Sequence, residues 1–158
     1  MLADIKGVYQ WAQQDGKSAD TLNGLSEAIG YLEEVVKDAE RDGYTTTEFG
    51  RRRYIPEITS QNGNLRAFGR RVAMNAPIQG TAADVMKLAM LRVNRALKRE
   101  GLDARIVMQV HDELVIEVRD DQIEKCRSLL KAEMESAAEL SVPLTVDVTV
   151  GKNWLDQN

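Results

Sequence analysis

Met108–Val118, MQVHDELVIEV, is an apolar run that halts for His-Asp-Glu and resumes as Leu-Val-Ile, and His111 is the only histidine in the chain. Arg105–Val110 and Leu114–Val118 read as two strands flanking a tip of His111, Asp112 and Glu113. Both flanks are almost continuously apolar, which predicts a tip on a buried sheet. No glycine or asparagine eases the turn, although a tight hairpin prefers one. Turn preference and sequence therefore disagree here, and such conflicts concentrate at functional sites. The bland alternative is a solvated turn. The sharper one is chemical: two adjacent carboxylates on paired strands suit Mg²⁺, which takes hard oxygen ligands and usually shares its shell with substrate phosphates.

The rest of the chain supplies helices for this hairpin to pack on. Leu2, Ile5, Val8, Tyr9 and Ala12 have helical spacing, interrupted by Asp15-Gly16-Lys17-Ser18. A helix is predicted from Ser26 to about Asp42, through Ile29, Leu32, Val36 and Ala39, with Gly43 as its stop. Tyr44–Glu48 reads as a strand, Gly50 as a turn, and Tyr54-Ile55 as a short partner ended by Pro56. Asn64 is a candidate N-cap for a helix to about Met74. Pro77 opens a second, longer helix whose stripe is Ile78, Ala82, Val85, Ala89, Val93 and Leu97, widened by Met86 and Met90 and closed by Gly101. Asp120 or Asp121 caps a helix to about Glu139, and Leu144–Val150 reads as a last strand after Pro143. Long helices and four or five strands in mixed order predict an α+β fold with an antiparallel sheet.

Composition narrows the class. No run of about 18 apolar residues is available to span a membrane. Nor does MLADIKGVYQ hold the apolar core of a signal peptide, so the expected address is cytoplasmic. Cys126 is the only cysteine, which excludes an internal disulfide and a multi-cysteine zinc site, and its helical spacing with Ile123, Leu130 and Met134 predicts a core position. The net charge of −4 is unevenly spread. Residues 1–50 hold 4 Lys/Arg against 10 Asp/Glu, residues 51–99 hold 11 against 2, and residues 100–158 hold 6 against 13. A +9 segment within an acidic protein predicts either a polyanion site or solvated helix faces.

Four blocks in order resemble one family. HDELV between apolar strands looks like the third palm motif of family A DNA polymerases. Gly50-Arg-Arg-Arg-Tyr-Ile-Pro56 resembles that family's GRRRYLP segment, and Asn75-Ala-Pro-Ile-Gln-Gly-Thr-Ala-Ala-Asp84 its NAPIQGTAAD helix. Val142-Pro-Leu through Val150-Gly-Lys-Asn-Trp154 fits its C-terminus, so the resemblance runs from about Gly30 to Trp154.

The resemblance implies a palm-type antiparallel sheet on long helices, incomplete relative to the full polymerase fold. It leaves residues 1–25 as an unassigned helical segment and residues 26–158 as the C-terminal part of the palm. Asp112 would ligate catalytic metal, Glu113 would act as a supporting acid and metal ligand, and His111 would touch the primer end. Asn75 and Gln79 would meet the minor groove, where amides can check pair shape without reading sequence. Arg66, Arg71 and part of Arg51, Arg52 and Arg53 would contact phosphate or template. Simpler roles stand beside these: Asn75 as a helix cap, Gln79 as first-turn polarity, and Arg51–Arg53 as partners of the acidic first third. Lys87, Arg92, Arg95, Lys98 and Arg99 read as a solvated face, and Asp84 and Asp147 as structural. Arg70 stands where family members carry an acid, which removes any ion pair that acid made.

Neither the family's DYSQIELR-like strand, with its other essential aspartate, nor its fingers helix is found in these residues. The resemblance therefore implies a part of a DNA-directed DNA polymerase, inactive by itself. Its partners would be primer–template DNA, the N-terminal polymerase portion, and a deoxynucleoside triphosphate only in a completed enzyme. The two-metal Mg²⁺ site would likewise need the other carboxylate, and the setting would be bacterial or phage-type, nucleoid-associated on DNA. Two alternatives are a catalytically inactive DNA-binding remnant and a protein-interaction module.

Overall fold

The computed structural model describes residue 10 and residues 12–153; the helical spacing over Leu2–Tyr9 and the Trp154 end of the last motif lie outside them. The chain divides into two compact units, residues 1–81 and 82–158. Among the described residues no helix is long and apolar enough to cross a membrane.

The first unit opens on α1, Ala19–Asp42. It starts seven residues before the expected Ser26, because Ser18 acts as N-cap: its Oγ accepts the Thr21 backbone N–H at 3.3 Å. Its end is as expected, with Gly43 at φ +77 taking the left-handed geometry that closes a helix. Strands β1, Tyr44–Thr46, and β2, Arg52–Tyr54, then pair antiparallel with Tyr44 opposite Tyr54. A single 3₁₀ turn, Pro56–Thr59, leads toward α2. Ala39, Ile55, Ile58 and Ala73 form the core of this unit, with Val36 and Val72 packed on it.

Helix α2 spans Gly63–Arg99, and here the structure departs most from expectation. Two helices were expected, with an N-cap at Asn64 and a new start at Pro77. Instead the helix is continuous through Pro77. The Asn62 side chain makes the N-terminal contacts, its Oδ1 accepting from the backbone N–H groups of Asn64 (2.9 Å) and Leu65 (3.4 Å). Proline withholds one N–H and crowds the preceding turn, but burial of Ala73, Met74 and Ala76 around it outweighs that local penalty. The predicted stripe begins later than read. Ile78 is 54% exposed, whereas Met86, Ala89, Val93, Ala96 and Leu97 are buried.

The second unit packs the C-terminal half of α2 with a hairpin and a helix. Strands β3, Ala104–Val110, and β4, Glu113–Val118, pair antiparallel, with a bulge between Ile106 and Met108. After a 3₁₀ turn at Asp120–Gln122, α3 runs Ile123–Glu135, shorter than the expected end at Glu139 and without a side-chain cap from Asp120 or Asp121. Val93, Leu97, Cys126 and Leu130 form the core, with Ile106, Leu114, Ile116 and Val148 against it. Cys126 is a core residue as read, and its burial pushes the thiol pKa up, so it stays protonated. Arg92 and Arg99 both reach Glu133 on α3, at 3.3 and 3.2 Å.

Residues 144–150 are not paired as a strand among the described residues. Their period-2 pattern is real nonetheless: Leu144, Val146 and Val148 are half-buried while Thr145, Asp147 and Thr149 are exposed. A strand needs a neighbour to supply its ladder, and the two sheets described here hold two strands each.

Candidate nucleic-acid interface and carboxylate tip

In the second unit, the tip of the β3–β4 hairpin is tighter than the sequence suggested. Glu113 pairs with Val110, so only His111 and Asp112 form the turn. His111 carries a φ of +51°, unique among the described non-glycine residues. A side chain in that region costs about 1–2 kcal/mol. The Gln109 side-chain amide donates to the His111 carbonyl at 2.6 Å, holding the turn from its own strand. Sequence reading missed Gln109, since a glutamine in an apolar run carries no distinctive spacing signal. His111, Asp112 and Glu113 are all exposed. The strands behind them are less buried than expected: Val107 is 50% exposed, since it lies at the bulge and is not among the strand residues packed on the core.

Strain at His111 makes a direct prediction. His111→Gly should raise the unfolding free energy by about 0.5–1 kcal/mol, the relieved strain less the added chain entropy of glycine. A lowered urea midpoint would contradict this.

The carboxylates are the right type for a hard divalent cation. Among the described residues no group of three or more His, Cys, Asp or Glu gathers as a metal site.

The other candidate residues belong to the first unit. Asn75 is half-buried in the interior of α2, which rules out the helix-cap reading. Its Oδ1 is buried and accepts no hydrogen bond among the described residues. An unsatisfied buried acceptor costs about 1–3 kcal/mol. Gln79 is exposed one turn further along and sits well inside α2, not in a first turn.

The arginines divide by what they touch. Arg51 Nη2 donates to the Gly80 carbonyl at 3.0 Å, while Thr81 Oγ1 accepts from the Glu48 backbone N–H at 3.1 Å, so the β1–β2 hairpin is tied to α2 at two points. Close approach at Gly80 explains that glycine: a Cβ there would lie 2.6 Å from Thr47 Cγ2. Arg52 lies over the Tyr44 ring, 4.5 Å from its centroid, and Arg53 is exposed on the same strand. Arg66 reaches the Ser60 carbonyl at 3.2 Å, and the Arg71 guanidinium lies 6.0 Å from the Phe68 ring centroid. Arg70, the departure from the family's acid, has found a partner in Glu40 on α1, at 2.7 Å.

The sequence matches DNA polymerase family A over residues 22–156. The chain belongs to that family. It is 49% identical over 126 residues to DNA polymerase I of Bacillus caldotenax, an overlap of 80% of this chain and 14% of that protein. With DNA polymerase I of Pseudomonas aeruginosa the identity is 50% over the same length, again 80% and 14%. With that of Bacillus subtilis it is 49% over 135 residues, 85% and 15%. The chain therefore spans only about one seventh of these family A relatives. In structure it resembles the POL domain of Pol1 from M. smegmatis, in complex with DNA primer-template and dNTP. The TM-score is 0.79 at 42% identity, covering 92% of this chain and 27% of that one. Its α+β architecture of long helices and small antiparallel sheets is that of a portion of a family A polymerase palm.

Proposed function

We propose that this chain works as part of a DNA-directed DNA polymerase, contributing the carboxylate tip and a primer–template surface to template-directed nucleotidyl transfer. One observation carries the reading. A strained two-residue turn presents two adjacent, exposed carboxylates, Asp112 and Glu113, at the tip of a paired hairpin. A two-residue hairpin turn puts its first residue at positive φ, where glycine is the unstrained choice, yet histidine stands there.

In this reading Asp112 and Glu113 would hold Mg²⁺, together with substrate phosphate and an aspartate outside these residues. Bound there, the cation would stabilise charge on the attacking and leaving oxygens. The chain's own residues do the positioning. The Gln109 amide and the β3–β4 ladder fix the tip, so that the carboxylates are preorganised before substrate arrives. His111 faces the primer end. The half-buried Asn75 and the exposed Gln79 offer amide N–H donors to the minor groove, which presents acceptors at every base pair. Arg53, Arg66 and Arg71 meet phosphate, while Arg51 and Arg52 hold their own hairpin. The segment's +9 charge favours a polyanion over a neutral partner.

The test is complementation. This chain is mixed with a polypeptide carrying the preceding polymerase portion of a family A relative, and Mg²⁺-dependent extension of a labelled primer is followed. Extension by the mixture and by neither part alone is the expected result. No extension from a mixture that assembles would refute the proposal.

A further inference from the structure

The outer face of the β1–β2 hairpin carries an arrangement that the polymerase reading does not use. In an antiparallel pair, opposite residues share a face, and so do residues two apart on one strand. Tyr44 faces Tyr54 and Thr46 faces Arg52 across the ladder, so Tyr44, Tyr54 and Arg52 lie on one side. They touch in sequence. Arg52 sits over the Tyr44 ring, 4.5 Å from its centroid, and Tyr44 meets Tyr54 edge to face at 5.7 Å and 61°. This ladder ends in an open ring, since Tyr54 is 69% exposed, the most exposed large apolar side chain among those described. Arg53, paired with Thr45, is exposed on the other side of the ladder.

Part of this ladder stabilises the hairpin, because a cross-strand aromatic pair steadies strands of only three residues. That accounts for the Tyr44–Tyr54 contact but not for the outward ring. An exposed ring with the exposed Arg52 on its own face is a combination that suits single-stranded nucleic acid: stacking from the ring, phosphate attraction from the cation.

We infer that Tyr54, with Arg52 on the same face of the β1–β2 hairpin, is a stacking platform for an unpaired base of a single-stranded nucleic acid. The inference extends the proposed polymerase reading, adding a base contact outside the duplex.

The experiment measures anisotropy of a labelled single-stranded 12-mer, the same 12-mer with abasic residues, and a blunt duplex, titrated with the chain. Wild type, Tyr54→Phe and Tyr54→Ala are compared. The expected results are a loss of about 5- to 100-fold for Tyr54→Ala on the base-bearing single strand, and near-normal binding for Tyr54→Phe. Duplex affinity should stay within about twofold, and the salt slope should not change because tyrosine carries no charge. Wild type should bind the abasic strand more weakly, with no further loss in Tyr54→Ala; this comparison holds even if the variant loosens the hairpin. Equal wild-type affinity for base-bearing and abasic strands would overturn the inference while leaving the polymerase reading intact. Equal losses on single strand and duplex would overturn it too, since the ring would then act through the fold. Absence of binding to every probe would overturn both.

Discussion

Asp112→Ala should lower Mg²⁺-dependent primer extension by the complemented polymerase at least about 10³-fold. The size follows from where the side chain sits. Asp112 is exposed, it occupies the turn itself, and its backbone is fixed on one side by the strained His111 and on the other by the Glu113–Val110 pair. A carboxylate held this way cannot be replaced by a neighbour swinging in. Glu113 belongs to the strand, and no third metal-ligating residue gathers around the tip among those described. Loss of the carboxylate should leave the fold alone: no described hydrogen bond depends on it, and an exposed substitution of this kind stays within about 0.5 kcal/mol. Asp147→Ala, on an exposed position of the extended C-terminal segment, is the matched control and should retain full activity. Extension by Asp112→Ala within tenfold of wild type would remove the tip from the chemistry.

The largest effect on stability is expected at Gly69. A Cβ built there lies 2.7 Å from the Ile58 backbone nitrogen, 2.8 Å from its Cα and 2.9 Å from the Glu57 carbonyl carbon. All three are backbone atoms of the turn Pro56–Thr59, so no side chain can rotate out of the way. Ile58 is 1% exposed and anchors the core of the first unit with Ile55 and Ala73. Gly69→Ala gains up to about 1 kcal/mol of helix propensity. The clash must outweigh this, because the helix and the turn have to separate by several tenths of an ångström across a close-packed contact. A net loss of about 2–3 kcal/mol is expected, read as a lowered urea midpoint. A stabilised Gly69→Ala would mean that the turn yields easily. Gly80→Ala makes an instructive pair, since its obstacle is the Thr47 side chain and should give way more readily.

What could be read from the sequence follows from the range of the forces involved. The hairpin was legible because period and turn are local: β3 and β4 fall within a residue of their expected bounds. Gly43 and Gly101 closed their helices as expected, since a left-handed φ is a local demand. Pro77 misled for the opposite reason. Its local signal says helix start, yet burial of Ala73, Met74 and Ala76 carries α2 straight through it. The start of α1 was missed because Asp15-Gly16-Lys17-Ser18 reads as a break, when its last residue is the cap. For the candidate site, residue types and their blocks were visible in the sequence; long-range ties were not. Neither the Arg51–Gly80 contact, nor Arg70 reaching Glu40, nor the approach of Gly69 to Ile58 leaves any periodicity to find. Gln109 is the subtlest case, a polar residue in an apolar strand whose purpose becomes visible only when the turn beside it proves to be strained.

The central claim is that these residues retain a primer–template surface, and fluorescence anisotropy tests it most directly. A labelled primer–template duplex is titrated with the chain across a salt series, alongside Arg53 and Arg66/Arg71 alanine variants. The account predicts binding whose logarithm falls linearly with the logarithm of salt, with a slope that becomes shallower by about one for each phosphate contact removed. Absence of binding at low salt, or a slope unmoved by the arginine changes, would contradict it.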